Sequence, residues 1–283
     1  MPLMPPCPLC QSPLQPAGDA PFNVGRSENF RTPIHYCAAC RVFVRQIEED
    51  TLTRHFEAAS YTNPVNEDRF RGGRVTFFRY LLRLVMHHLD KHSTPLTLID
   101  FGSAYGHLLE ITSEFGVCSI GIEINAALVA ACRERGLEVY SHLADMPPEL
   151  NGADAVTMID SLYYLAQPHP VLAALTERLK PGGIVAARVT NRLPYARLAR
   201  WLRRRDPMAL LGDATISYSR RGVRRLFERA GYRILSILPE AGTGKRSEGI
   251  AALAYGLTGI LARLTGGRLL LTPGMIILAR WEG

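Results

Sequence analysis

LTLIDFGSAYGHLLEITSEFGVCSIGIEI, residues 96–124, alternates strand and helix around a glycine-bearing turn. The run LTLID is short, apolar and bounded, so it predicts a buried strand ending on Asp100. Gly102 opens a turn and a helix that runs to Phe115. VCSIGIEI (117–124) is a second strand with Glu123 near its end. Glycines at the carboxyl end of a strand let the backbone approach a ligand closely. An acid closing the next strand can take both hydroxyls of a ribose. Strand, glycine turn, helix, strand, acid therefore describes a nucleoside-cofactor site, with a purely structural turn as the competing reading. Gly102 and Gly106 are spaced G-x-x-x-G rather than G-x-G-x-x-G, which disfavours a nicotinamide dinucleotide.

The alternation continues downstream. Asn125 to Arg135 reads as a helix with Asn125 as its cap, LEVY (137–140) as a short third strand and AVTMID (155–160) as a fourth. A helix from Pro170 to Leu179 and the turn KPGG (180–183) lead into a fifth strand, IVAARVT (184–190), and PGMIILARW (273–281) is the last. Such alternation predicts a mostly parallel sheet with helices on both faces. Upstream, Asp50 to Asn66 reads as a connecting helix and loop. Val75 to His92 is an amphipathic helix with Phe78, Leu81, Leu82, Val85 and Leu89 on one face. Its His87, His88 and His92 are read as solvated. Cys118 and Cys132 are expected to be inert core residues.

The other four cysteines form a metal pattern. Cys7-x2-Cys10 and Cys37-x2-Cys40 are two knuckles, each presenting two sulfurs to one ion, and together they suit a tetrahedral zinc site. The gap between the pairs is longer than the commonest ribbon spacing and calls for long hairpin strands or a loop. Four protein ligands leave no open position, so the zinc is expected to be structural.

At 283 residues, 47% hydrophobic and 21% charged, the chain suits a globular protein and excludes wholesale disorder. No apolar run reaches the roughly 18–20 residues that span a bilayer. MPLMPPCPLC lacks the basic and apolar regions of a signal peptide, so a soluble, cytoplasmic protein is expected. The net charge of +7 is uneven: thirteen arginines face three acids between Arg188 and Arg233. A patch of this kind points toward phosphate, nucleic acid or an anionic surface, or is a solvated helix face. Within it, LPYARLARWLRRR (193–205) is basic and amphipathic, fit to grip a phosphorylated substrate or lie on an anionic membrane. GIAALAYGLTGILA (249–262) is apolar but too short to span, a packed helix or one facing lipid or a partner.

DFGSAYG (100–106), GIE (121–123), ADAVTMIDSLYY (153–164) and LKPGG (179–183) recur in the order and spacing of class I S-adenosylmethionine-dependent methyltransferases. YSRRGVRRLFERAGYRI (218–234) resembles that family's ubiquinone-methyltransferase-like branch. CPLC and CAAC, followed by RVFVRQ and Tyr61, resemble a zinc-ribbon-headed subgroup whose members often modify small metabolites, sugars or polysaccharide precursors. The resemblance covers nearly the whole chain and is specific to fold and cofactor, not to substrate. It implies a Rossmann-like α/β fold of seven strands, the last antiparallel, behind a small zinc ribbon. The head would occupy 1–48, connecting helices or a lid 49–94, and the methyltransferase domain 95–283, with insertions at 191–214 and 240–272.

By the same resemblance, Gly102, Ser103, Ala104, Tyr105 and Gly106 would line the methionine and ribose part of S-adenosylmethionine. Asp100 would hold the amino group and Glu123 the ribose hydroxyls. Ile124 would pack on the adenine, with His142 where an acid commonly meets the adenine amine and backbone amides near Leu143 or the nearby Asp145 as substitutes. Asp160 would lie beside the methyl group. Ala104 replaces a usual glycine, tolerable at negative φ. Tyr163-Tyr164 replaces a common Glu-His pair, so Asp160, Tyr163 and Tyr164 are the catalytic candidates, with His107 and His169 as further options and an aromatic wall as the alternative role of each tyrosine. The expected reaction is methyl transfer to oxygen or carbon of a small or carrier-linked substrate. The alternatives are ribosomal RNA methylation, less favoured for want of interleaved aromatics, and a non-catalytic scaffold that docks through the zinc ribbon.

Overall fold

The protein is described here from a computed structural model covering residues 6–24, 28–57, 64–89, 95–203, 205–240 and 249–283. In chain order the elements are β1 (Gln15–Val24), β2 (Glu28–Cys37), β3 (Val42–Arg45), α1 (Glu49–Glu57), α2 (Pro64–His88), β4 (Leu96–Phe101), α3 (His107–Thr112), β5 (Val117–Ile122), α4 (Ala126–Glu134) and β6 (Val139–Tyr140). They continue as β7 (Ala153–Ile159), α5 (Pro168–Thr176), β8 (Leu179–Thr190), α6 (Leu193–Trp201), β9 (Ile216–Ser217), α7 (Arg220–Arg229), β10 (Tyr232–Pro239), α8 (Gly249–Leu264) and β11 (Gly274–Trp281).

Seven strands form one sheet in the order β10-β11-β8-β7-β4-β5-β6, with β11 antiparallel to both neighbours and the others parallel. Alternate residues of each strand face opposite layers. Leu98, Ala186 and Ile276 meet Phe78, Leu81, Leu82 and Val85 of α2, the stripe expected from the sequence. Ile99, Val156 and Val185 face the other layer, which includes Leu172 of α5 and Leu226 and Phe227 of α7. Asn125 caps α4 as expected, its side-chain oxygen accepting the Ala127 and Leu128 N–H groups.

Four local expectations need correction. α5 ends at Thr176, and Leu179 already pairs with Ala153. KPGG is therefore a bulge inside β8, formed where the register steps from Ala153↔Leu179 to Ala155↔Ile184, with Gly182 at φ 81°. Cys118 is exposed rather than core, because it occupies the outward position at the start of β5. α5 begins at Pro168 rather than Pro170, so His169 lies in its first turn, its Nε2 3.3 Å from the Leu9 carbonyl. α2 begins eleven residues earlier than the apolar pattern indicated, while Tyr61 and His92 lie outside the described residues.

The head is a long β1–β2 hairpin plus β3, the first of the two arrangements that its Cys spacing allowed. It does not close on itself at residue 48. Its fourth strand is β9, from beyond the 191–214 insertion, paired as Phe43↔Ser217 and Val44↔Ile216. Cys7, Leu9, Cys40 and Val42 pack in one cluster with Tyr218, Val223 and Leu226. Ser219 caps α7 by accepting the Gly222 N–H, and its hydroxyl donates to the Cys40 carbonyl at 2.6 Å.

At Gly222 an added Cβ would stand 2.4 Å from Val42 Cγ1. Gly222→Ala is expected to cost about 1–3 kcal/mol, measured by urea unfolding. An unchanged midpoint would mean that the head and α7 are not in register as described.

Candidate functional site

The site begins with two acids on adjacent parallel strands. Asp100, on β4, is buried and accepts a 2.7 Å hydrogen bond from the Thr157 hydroxyl. Burial pushes its carboxyl up to about 7, with the nearby Glu123 adding to the rise. Glu123 stands just past β5. One carboxylate oxygen accepts the Ala104 N–H at 2.8 Å and the other accepts the Asn125 N–H at 2.8 Å. Burial still raises its pKa against those bonds. Each carboxylate oxygen keeps a lone pair for a further donor.

The loop from Gly102 to Gly106 wraps over these acids. Gly102 has φ 84°, and a Cβ there would lie 2.7 Å from Ser161 Cβ, so only glycine fits. Ala104 sits at φ 47°, not at the negative φ expected for it. Its N–H is aimed at Glu123, and that bond holds an alanine in the left-handed region at a cost of about 1–2 kcal/mol.

A cavity of about 370 Å³ opens beside the loop, within the usual range of ligand pockets. Its wall contains Asp100, Gly102, Ser103, Ala104, Tyr105, Glu123, Ile124, His142, Leu143, Asp160, Tyr163 and Tyr164. Gly106 is not on it: Gly106 caps α3 at φ 71° and faces Leu137 and Cys132, where its lack of a Cβ permits close packing. Asp145 is turned away as well, its carboxylate accepting the His142 N–H at 3.0 Å. His107 is buried in the wall and stacks on Tyr105, with ring centroids 5.7 Å apart.

The far wall holds what sequence reasoning missed. Arg74 of α2 donates to Asp160 at 2.6 Å, and Arg188 donates to the other oxygen of Asp160. Arg188 also forks onto Glu240 at 2.9 and 3.0 Å. Burial alone would raise Asp160, but the two guanidiniums win and hold it below the ordinary carboxylate range. Tyr163 is buried and pushed well above its usual value. Both oxygens of Asp160 are occupied by guanidinium donors, and burial keeps the Tyr163 hydroxyl protonated. Arg188, which the sequence placed at the head of a surface patch, is buried and ion-paired. A lone Arg inside the apolar strand IVAARVT was the signal for an internal partner.

Tyr164 differs. Its hydroxyl donates to Asp213 at 2.8 Å, and His55 Nε2 lies 3.7 Å from the same carboxylate oxygen. Burial works to raise Asp213, yet the bonds from His55 and Tyr164 keep it below the usual range. Phe56 meets the Tyr164 ring edge-on at 4.9 Å and closes the cavity. Arg45 in turn donates to the carbonyls of Gly212 and Ala214, on either side of Asp213.

At the other end of the head, the sulfurs of Cys7, Cys10, Cys37 and Cys40 all lie within 4.8 Å of one another. Cys10 and Cys37 are 3.6 Å apart, close to the about 3.8 Å that a tetrahedral ion with 2.3 Å bonds to sulfur requires. The Cys40 N–H points at Cys37 Sγ at 3.4 Å. Burial pushes the Cys7 thiol far up and that of Cys40 to about 12, so stable thiolates here call for a cation among them. The donor set fits zinc.

Comparison with known proteins agrees with this geometry. The methyltransferase-domain family matches residues 70–237, more than half of the chain. Among curated proteins, the ubiquinone biosynthesis O-methyltransferase of Methylococcus capsulatus is 34% identical over 104 residues, 33% of this chain and 43% of that protein. That of Nitrosococcus oceani is 29% identical over 133 residues, 44% of this chain and 56% of that protein. The chain thus spans about half the length of the curated relatives it matches. Among solved structures, a chain of the complex between the Haloferax volcanii Trm112 methyltransferase activator and a methyltransferase superposes with TM-score 0.53. It is 17% identical and covers 81% of this chain and 98% of that one. The plantazolicin methyltransferase BpumL reaches 0.50 at 13% identity, covering 83% and 98%. At these identities the two structures bear on the fold alone.

Arg188→Met would remove both Arg188 hydrogen bonds to the buried Glu240 and one of the two guanidiniums on Asp160. A loss of about 3–5 kcal/mol is expected at neutral pH, read by urea denaturation. Because the native pairing depresses the pKa of Asp160, its contribution fades as pH falls through that depressed value. The gap between wild type and variant should therefore narrow in acid. A gap that widens there would contradict the ion pairing.

Proposed function

The chain belongs to the methyltransferase-domain family and is an S-adenosylmethionine-dependent methyltransferase, and from that premise we propose that it methylates a hydroxyl oxygen of a small or carrier-linked metabolite. The observation that carries the choice of oxygen is Tyr164 on the cavity wall, its hydroxyl bonded to Asp213 behind it. Bound S-adenosylmethionine supplies an electrophilic methyl group on a sulfonium sulfur. Transfer is an in-line displacement, so the protein's work is to position the acceptor and exclude water. A base is needed only where the nucleophile carries a proton to be lost. The acceptor hydroxyl would donate to Tyr164 Oη, and Tyr164 would pass its own proton to Asp213 as the new carbon–oxygen bond forms. Asp213, partly exposed, would release that proton to water.

In this reading Asp100 meets the cofactor's ammonium group, Glu123 its ribose hydroxyls, and Ile124, His142 and Leu143 its adenine. The glycine at 102 fits the close approach, since a side chain there would occupy the space beside Ser161. Asp160, fixed by Arg74 and Arg188, shapes the reacting end as a charged wall and not as a base. Arg74, about one-third exposed, gives the acceptor side of the cavity a cation suited to an anionic or phosphorylated substrate. Cys7, Cys10, Cys37 and Cys40 would hold a structural zinc ion. With the knuckles packed on α7 and α5, its task is internal rather than the docking of another protein.

Calorimetric titration of zinc-replete protein with S-adenosylmethionine tests the cofactor site. Micromolar binding that Glu123→Ala abolishes is expected, and no binding by folded protein would sink the assignment. The pH dependence has a definite sign. The raised pKa of Asp100 means that its neutral form stabilises the fold fully below about 4, a contribution lost as pH rises through about 7. Binding of an ammonium needs the carboxylate, so affinity should rise with pH up to about 7 and level off above it. Below that value it should weaken by about tenfold per pH unit. Asp100→Asn should flatten this profile and raise the thermal midpoint in alkaline buffer.

Tyr164→Phe is expected to lower kcat by about 10²-fold with cofactor affinity unchanged. The assay is transfer of labelled methyl to a panel of hydroxylated acceptors. Full activity in this variant would remove the proton route.

A further inference from the structure

α8 is built inside out. The side that packs on the protein consists of Tyr255, Thr258, Gly259 and Ala262, while Leu253, Leu257, Ile260, Leu261 and Leu264 are exposed. Those five follow i, i+4, i+7, i+8, i+11 and share one helix face. A helix evolved only to stabilise its own core would place the leucines inward and the glycine outward. α6 repeats the pattern: Leu193, Ala196 and Ala199 are buried, and Tyr195, Leu198, Trp201 and Leu202 are exposed. Trp201 and Leu264 are each 78% exposed, far beyond what scattered surface hydrophobics need.

The two helices belong to neighbouring elements. The Tyr195 hydroxyl donates to the Leu271 carbonyl, Asn191 donates to the carbonyls of Leu270 at 2.9 Å and Thr272 at 3.0 Å, and Arg220 donates to Gly267 at 2.7 Å. α6 follows β8, and α8 links β10 to the antiparallel β11, so both sit at the carboxyl end of the parallel strands, the end at which the cavity opens. Exposed Arg197, Arg200, Arg203 and Arg205 surround the first face, and Arg263 and Arg268 the second. Residues 191–205 and 249–281 contain no acid at all.

We propose that α6 and α8 dock this enzyme on an anionic lipid surface. Leucines, isoleucine and one tryptophan enter the headgroup layer while the arginines pair with lipid phosphates. The charge pattern selects this occupant. A second copy of the chain would bring like charges together, since neither helix offers an acid. An RNA surface would call for a run of stacking aromatics, and the exposed faces offer two, Tyr195 and Trp201, against seven aliphatic side chains. Among the described residues no helix is long and apolar enough to cross a membrane, and the sixteen-residue α8 lies on the bilayer in this arrangement.

The test is flotation of the full, zinc-replete chain with vesicles of phosphatidylcholine and phosphatidylglycerol, beside vesicles of phosphatidylcholine alone. Binding to the anionic vesicles only is expected, weakened as salt rises from about 0.1 M and the Debye length shortens from about 10 Å. A variant carrying Trp201→Ser, Leu257→Ser, Ile260→Ser and Leu264→Ser should lose at least about tenfold in partitioning, while its calorimetric affinity for S-adenosylmethionine stays at the wild-type value. No flotation of the wild type would overturn the proposal, and so would flotation that the fourfold variant leaves intact. Dimerisation in sedimentation, or salt-sensitive binding of a short RNA, without vesicle binding would assign the face to a second copy or to RNA instead.

Discussion

Two backbone pairings, Phe43 with Ser217 and Val44 with Ile216, join the cysteine-bearing head to the rest of the fold, and the Tyr163–Tyr164 side of the cavity is built on that seam. Two strand residues pair weakly by themselves. Arg45 supplies the rest: buried, it donates to the carbonyls of Ala20, Gly212 and Ala214 and to the Thr32 hydroxyl. Burial lowers its pKa only to about 10, so the guanidinium stays charged at neutral pH. The Arg45 N–H also donates to Thr215 at 2.7 Å, and the Thr215 N–H donates to Tyr163 at 3.0 Å. A continuous line of hydrogen bonds thus runs from the hairpin that carries the cysteines to the two tyrosines of the cavity. The metal site and the reacting site are distant in sequence and mechanically joined.

The same economy governs the buried charges. A carboxylate removed from water must find donors or give up its charge. Glu123 finds them in two backbone N–H groups, and Asp160 in two arginines. Asp100 has one hydroxyl and no cation beside it, and its pKa rises accordingly. That imbalance marks it as the position where a cationic ligand gains most. The three acids stand at the ends of β4, β5 and β7, so one cavity meets three different electrostatic environments within adjacent strands.

What the sequence revealed follows how local the interactions are. β4, β5, β7 and the last strand are short apolar runs with turn residues between them. Asn125 caps α4 through N–H groups only two and three residues ahead, and the CxxC pairs need only their own knuckles. The part of the cavity wall that runs from Asp100 through Glu123 to Leu143 was legible for that reason, Gly106 excepted. Ala104 at positive φ was not, because its conformation answers to Glu123, nineteen residues away. Phe56, Arg74, Asp213 and the Arg188–Glu240 pair were missed for the same cause at greater range. Each is an ordinary residue until the fold brings it to the far wall or directly behind it, and Arg188 even counted toward a surface patch in which it takes no part. The head read as a separate domain because nothing in residues 1–48 announces that a strand is lacking.

The division between legible and hidden residues matches the division of labour in the molecule. The family match runs over residues 70–237, while the identity to the ubiquinone biosynthesis O-methyltransferases covers no more than 44% of the chain. The sheet and its glycine loop lie within the stretch that the family shares, so their pattern is readable. Phe56 comes from α1, Arg74 from α2 and Asp213 from the connection between α6 and β9, segments that a fold of this kind is free to vary. In the function proposed for this chain, acceptor choice would rest on these additions and on the seam that holds them. It follows that similarity in the sheet carries information about the methyl donor and none about the acceptor. A relative that shares Tyr164, Asp213 and Arg45 in this arrangement would say more about the substrate than one with twice the overall identity.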